Sequence, residues 1–156
     1  ATGSIGMYHI KGITPEAEAL ESPREKIELE KKDITRFFEK QGDAEVIAIG
    51  CPHCSALELY RLSELLEAEA KGRKVSRDFF IFTAKAIKER MHAVVKKLEA
   101  YGATVICDTC FVVSPAFEHY NAVITNSGKM LRYVPLLCGN ATVRLCKTEE
   151  CVRRAF

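Results

Sequence analysis

The sequence predicts an α/β fold, three layers (α/β/α) built around a mostly parallel sheet. Two observations predict it. Short runs of four or five apolar and β-branched residues alternate with longer segments of helical period, the pattern of repeated βαβ units. Within those runs the apolar residues are consecutive rather than alternating, so both faces of the sheet must be covered.

Taken in order, residues 4–10 read as a strand, and Gly12 to Pro15 as a turn leading to a helix start at Thr14-Pro15-Glu16. Residues 16–32 are dense in Glu and Lys and interrupted by Pro23, which predicts a solvated face or loop. Lys31 to Lys40 places Ile34, Phe37 and Phe38 at i, i+3 and i+4, an amphipathic helix that ends before Gly42. Strand Glu45–Ile49 then leads to helix Ala56–Lys71, started by the capping box of Ser55 with Glu58 and closed by Gly72. Strand Asp78–Phe82 leads to helix Ala84–Ala100, closed by Gly102, and strand Thr104–Cys107 follows. A short helix at Ser114-Pro115, strand Ala122–Thr125, a loop at Asn126-Ser127-Gly128-Lys129, strand Thr142–Leu145 and helix Glu149–Ala155 complete the chain. The expected organisation is a single α/β domain over 1–156, with a less regular lead-in over 1–42 and a core of βαβ repeats over 43–156. Ala1 falls at the edge of an apparent element with no initiator methionine, so the chain reads as a piece of a longer protein.

Composition narrows the function. A hydrophobic fraction of 47% and a charged fraction of 28% are those of an ordinary globular chain. A net charge of +2, with no Lys/Arg run interleaved with aromatics, argues against nucleic acid as a partner. No stretch approaches the about 20 apolar residues of a membrane helix. Seven cysteines, an odd number, point to a reducing, cytoplasmic setting rather than a secreted disulfide framework.

Parallel α/β sheets hold ligands beyond the carboxyl ends of their strands. That rim carries Cys51 and His53, then Thr83, then Asp108 and Cys110, then Asn126, Ser127 and Lys129. Three chemistries fit the thiols. Cys51-Pro52-His53-Cys54 at a helix start has the form of a thiol–disulfide pair, although Gly50 precedes it where an aromatic is usual. Cys51, Cys54, Cys107 and Cys110 could close a structural zinc site, but a whole βαβ unit separates the two pairs. Thiolates on strand-end loops also suit an iron–sulfur cluster, and one with three protein cysteines leaves an iron open to a substrate hydroxyl. Beside them a turn of Asn126, Ser127 and Gly128 with the Lys129 ammonium can hold a carboxylate or phosphate; alone it would be only a turn and a solvated charge. His53, between two thiols, is a candidate catalytic group against the commoner role of polar filler. Cys107, Cys138, Cys146 and Cys151 read as packing residues.

Gly50 to Ser55, Asp108 to Pro115 and Thr125 to Lys129 resemble motifs of the aconitase X catalytic (large) subunit, as do Ala1 to Ile5 and Tyr8 to Glu16. The likeness runs the length of the chain and covers the C-terminal part of that subunit. The resemblance implies an aconitase-like domain of an archaeal, iron–sulfur-dependent dehydratase. It places Cys51 and Cys110 on cluster-ligand positions, with a third cysteine outside this chain and a [4Fe–4S] cluster as cofactor. It places Asn126, Ser127 and Lys129 at an anionic small-molecule substrate, and Thr83, on the same strand-end rim, is a further substrate-binding candidate. It implies a small swivelling subunit or domain as partner and source of a serine base. Activities known in the family are phosphomevalonate dehydration, on the mevalonate route to isoprenoids, and cis-3-hydroxy-L-proline dehydration; Cys54 and the Lys/Glu-rich composition favour the first.

Overall fold

In the computed structural model, which describes residues 6–38 and 42–156, five strands form one fully parallel sheet. They are β1 (Val46–Cys54), β2 (Asp78–Thr83), β3 (Thr104–Cys107), β4 (Ala122–Thr125) and β5 (Thr142–Leu145), in the spatial order β3-β2-β1-β4-β5. The chain winds outward from β1 through β2 to β3, then returns across the sheet to place β4 on the other side of β1. The reversal makes the gap between the carboxyl ends of β1 and β4 the topological switch point.

Consecutive residues of each strand face opposite layers, which is why the runs are apolar throughout. Ile47, Ile49, Phe79, Ile81, Val105 and Ile124 pack against α2 (Ala56–Ala70), α4 (His92–Ala100) and α6 (Thr148–Arg153). Val46, Ala48, Phe82, Val123 and Val143 pack against α5 (Gly128–Leu137) and against Phe111 and Phe117 of the long connection from β3 to β4. That second layer is finished by aromatics rather than by a second long helix. Phe80 and Phe111 each lie about one ring width from Phe117, with centroids 5.1 and 5.0 Å away.

Several elements depart from the pattern-based expectations. Residues 6–10 form no strand: Met7, Tyr8 and Ile10 remain exposed, and no partner strand pairs with them; Ser4 and Ile5 lie outside the described residues. The Lys31–Lys40 helix is a five-residue turn, α1 (Lys31–Thr35), followed by a 3-10 turn over Arg36–Phe38, with Glu39 and Lys40 outside the described residues. Its apolar residues Ile34, Phe37 and Phe38 stay exposed, so burial does not extend it. The single helix expected over Ala84–Ala100 is two, α3 (Lys85–Arg90) and α4, separated at Met91, whose ψ of 26° is not helical. The expected loop at 126–129 opens α5 instead. Pro135 sits inside that helix, where it cannot donate to the Leu131 carbonyl, yet Met130 and Val134 are fully buried at i and i+4 and hold the helix to the sheet. Residues 16–32 are exposed almost throughout, and α2 begins at the Ser55–Glu58 capping box and ends at Lys71 and Gly72, both with positive φ.

Candidate functional site

The site begins with a bulge. β1 pairs with β2 at Ile49↔Ile81 and again at Cys54↔Thr83, so Gly50 to His53 stand opposite Phe82 alone. The surplus residues must leave the sheet plane, which turns Cys51, Pro52 and His53 out toward the rim. Gly50 makes this possible. Its φ is +107°, and a Cβ there would lie 2.2 Å from the Phe82 carbonyl oxygen. The Cys51–Pro52 peptide is cis. Thr83 closes the bulge from beneath: its fully buried hydroxyl donates to the Cys54 carbonyl at 2.7 Å. Thr83, expected at the substrate, thus uses its hydroxyl proton to hold the bulge, whose carbonyl lies over it.

The second thiol comes from the loop after β3. Asp108 has φ +55°, its N–H donates to the Thr83 carbonyl at 3.1 Å, and its carboxylate accepts from the Lys85 N–H at 3.0 Å. Next along, the Thr109 carbonyl accepts a 2.7 Å bond from His53 Nε2. A carbonyl only accepts, so Nε2 carries the proton. Cys110 follows, half-buried.

β4 delivers the third wall. Ser127 is the N-cap of α5: its Oγ accepts from the Met130 N–H at 3.2 Å and donates to the Cys51 carbonyl at 2.5 Å. This ties the helix start to the bulge across the switch point. Asn126 Nδ2 donates to Thr148 Oγ1 at 3.0 Å, which ties the Asn126 amide nitrogen to the start of α6. Gly128 and Lys129, the first two residues of α5, are exposed. Together Cys51, His53, Asn126, Ser127 and Lys129 line a cleft of about 360 Å³. A larger hollow of about 760 Å³ lies between Asp43 and Asp78 at the amino ends of the strands, away from the thiols and from the end of a parallel sheet that binds ligands.

The electrostatics separate the thiols. Burial raises the Cys51 pKa; the Ser127 hydroxyl and the Lys129 charge oppose it, and the neighbouring Cys110 adds to it. Cys110 is thus close enough to Cys51 to be felt by it. Cys54 is 3% exposed, and burial with the nearby Glu58 pushes its pKa up to about 12. A thiol–disulfide centre needs an accessible, acidified pair, so Cys51-Pro52-His53-Cys54 has the reverse of the required character. All seven cysteines are free. Cys138, Cys146 and Cys151 are buried, whereas Cys107 is only half-buried, a looser packing role than expected. Among the described residues no three His, Cys, Asp or Glu side chains converge as a metal-holding group, so the four-cysteine zinc arrangement is not formed. What this chain presents is two thiols, Cys51 and Cys110, beside an exposed ammonium and a helix N-terminus. One contributor carried no signal in the side-chain pattern, the Thr109 carbonyl, because backbone leaves no mark on composition; Gly50 stood in the motif, but its role follows from the Phe82 approach.

Comparison with known proteins agrees with this architecture. Residues 44–156 match the family model described as the aconitase X third domain. The phosphomevalonate dehydratase large subunit of Methanosarcina mazei is 44% identical over 99% of this chain and 38% of its own length. The cis-3-hydroxy-L-proline dehydratase of Hypocrea jecorina is 31% identical over 87% of this chain and 25% of its own length. A crystal structure of Thermococcus kodakaraensis aconitase X in its holo-form superposes with a TM-score of 0.81 and 34% identity, over 96% of this chain and 39% of that one. The chain therefore spans from a quarter to about two fifths of the length of these relatives. On the match of its whole core, the chain belongs to the aconitase X family.

Proposed function

We propose that this chain is the thiol- and anion-presenting part, a single domain with its lead-in over 1–42, of an archaeal, cytoplasmic, iron–sulfur-dependent hydro-lyase. The reaction removes water from a hydroxy acid, with 5-phosphomevalonate going to anhydromevalonate phosphate on the isoprenoid route. The observation that carries this reading is that Cys51 and Cys110 stand at the carboxyl-end rim, linked by the His53–Thr109 bond, with Lys129 lining the Cys51 cleft, in a chain 44% identical to a phosphomevalonate dehydratase subunit. The cis-3-hydroxy-L-proline relative, at 31%, supports the same chemistry with a different substrate.

The two thiols fit a [4Fe–4S] cluster whose third cysteine lies outside this chain: both are free and half-buried, and neither is tied into a zinc set. When bound, the cluster supplies a Lewis acid for the departing hydroxyl. The chain's own groups do the rest of the holding. The Lys129 ammonium and the open N–H groups at the start of α5 bind the anionic end of the substrate. Ser127 keeps that helix start against Cys51, and Thr83 and Gly50 hold the bulge that presents it. The C–H proton passes to a base on a small partner subunit, the hydroxyl leaves with a second proton as water, and the C=C bond forms between the two carbons. His53 Nε2, already donating to Thr109, is not that base.

The test is anaerobic iron–sulfur reconstitution of the complete catalytic subunit with its partner. Visible absorbance should vanish in Cys110→Ala and survive in Cys54→Ala; the reverse pattern overturns the cluster reading. In the same enzyme Lys129→Ala should lower kcat/KM for phosphomevalonate at least about tenfold, the scale of one charge-assisted bond, and an unchanged kcat/KM removes Lys129 from the anion site.

A further inference from the structure

Cys51 and Cys110 sit on strands that do not touch. β2 lies between β1 and β3, so no ladder hydrogen bond joins the two thiol-bearing ends. The link must be made above the sheet. Asp108 anchors the start of the β3 loop through Thr83 and Lys85, but it precedes Cys110 by two residues. The carbonyl of Thr109 belongs to the peptide plane that leads into Cys110, and His53 grips that carbonyl at 2.7 Å from the bulge that carries Cys51.

We propose that His53 is a positioning residue: its Nε2–H clamps the Thr109–Cys110 peptide to the β1 bulge and presets the separation of Cys51 and Cys110 before any metal binds. The inference deepens the reading that these two thiols form one ligand pair. A histidine suits the task because its ring is rigid and its reach spans the end of β2 without a flexible stem. The acceptor is backbone, so the clamp acts on the geometry of the loop and on no reacting atom.

The test uses the complete catalytic subunit with its partner, prepared without iron and carrying Cys107→Ser to silence the half-buried neighbour. A short bifunctional thiol reagent, dibromobimane, is applied, and the peptide linked through Cys51 and Cys110 is quantified by mass spectrometry. His53→Ala should lower the rate of linking about fivefold, the equivalent of one net hydrogen bond. His53→Gln, whose amide nitrogen can still donate, should recover to within about twofold. His53→Phe keeps a ring and drops the donor, and should behave as His53→Ala. Wild-type linking in either His53→Ala or His53→Phe, or failure of His53→Gln to recover, overturns the clamp. Because linking is read without iron, it is independent of whether reconstitution yields a cluster.

Discussion

Replacing Gly50 with alanine tests the geometry on which the whole rim depends. The new methyl would stand 2.2 Å from the Phe82 carbonyl oxygen, 2.9 Å from the Phe82 nitrogen and 3.0 Å from its carbonyl carbon. All three are backbone atoms of a central strand, and none can rotate away. The φ of +107° adds a conformational cost of about 1–3 kcal/mol for any residue with a Cβ. Relieving the contact requires shifting β1 against β2, which overpacking studies put at about 1–3 kcal/mol. The sum, about 2–6 kcal/mol, is a large share of the about 5–15 kcal/mol that holds a domain folded. At about 2–4 °C per kcal/mol for a chain of this size, the melting temperature should fall by roughly 4–24 °C. Gly72→Ala is the matched control. That glycine has φ +81° with nothing within 4 Å of a Cβ, so it reports the backbone component alone. Its melting temperature should drop by about 2–4 °C, a cost of about 1 kcal/mol. The measurement is thermal unfolding of both variants beside wild type, followed by circular dichroism. A Gly50→Ala melt equal to that of Gly72→Ala would refute the claim that close packing on Phe82 shapes the bulge.

Ser127→Ala removes both the α5 cap and the bond to the Cys51 carbonyl; urea unfolding should show a loss of about 1–3 kcal/mol, and an unmoved midpoint would mean that neither bond contributes. Tyr120 donates to Asp78 at 2.6 Å, and burial together with that carboxylate pushes its pKa up to about 12. The folded value lies above the unfolded phenol value of about 10, so its contribution to stability is complete below about pH 10 and is lost as the pH rises through about 12. Ultraviolet titration should find one late-ionising tyrosine, absent in Tyr120→Phe, and a full set of tyrosines ionising together near the ordinary value would contradict it.

The strands were legible because a parallel sheet covered on both faces demands uninterrupted apolar runs, and Val46 to Ile49, Thr104 to Cys107 and Ala122 to Thr125 supply them. The rim followed from topology: once the strands are parallel, the residues after Ile49, Cys107 and Thr125 share one edge. Helix α5 was not legible. Gly128 and Pro135 are local breakers, and what overrides them is tertiary, the burial of Met130 and Val134 in a core shared with Val46 and Ala48 of β1 and Val143 of β5. The extension of β1 through Cys54 was hidden for a related reason, since Gly-Cys-Pro-His reads equally as loop and as bulge until Thr83 and Phe82 are in place. Thr83 and Asn126 were correctly placed at the strand ends, but composition could not reveal that the Thr83 hydroxyl bonds the Cys54 carbonyl and that Asn126 Nδ2 bonds Thr148.

The strand order also dictates when the molecule can become safe from its own surface. A ribosome delivers β1, β2 and β3 well before β4, yet Val46 and Ile47 must wait for Val123 and Ile124 to cover one side of β1. Until then a nascent chain carries the apolar run Val46 to Ile49 with an open edge, the kind of surface that recruits strands from other chains. Ser127, which fastens the cleft to Cys51, comes two residues after β4 in the chain. A chain halted before Asn121 should therefore collect in the insoluble fraction, and the Ser127–Cys51 bond that closes the cleft can form only once β4 and the start of α5 have been made.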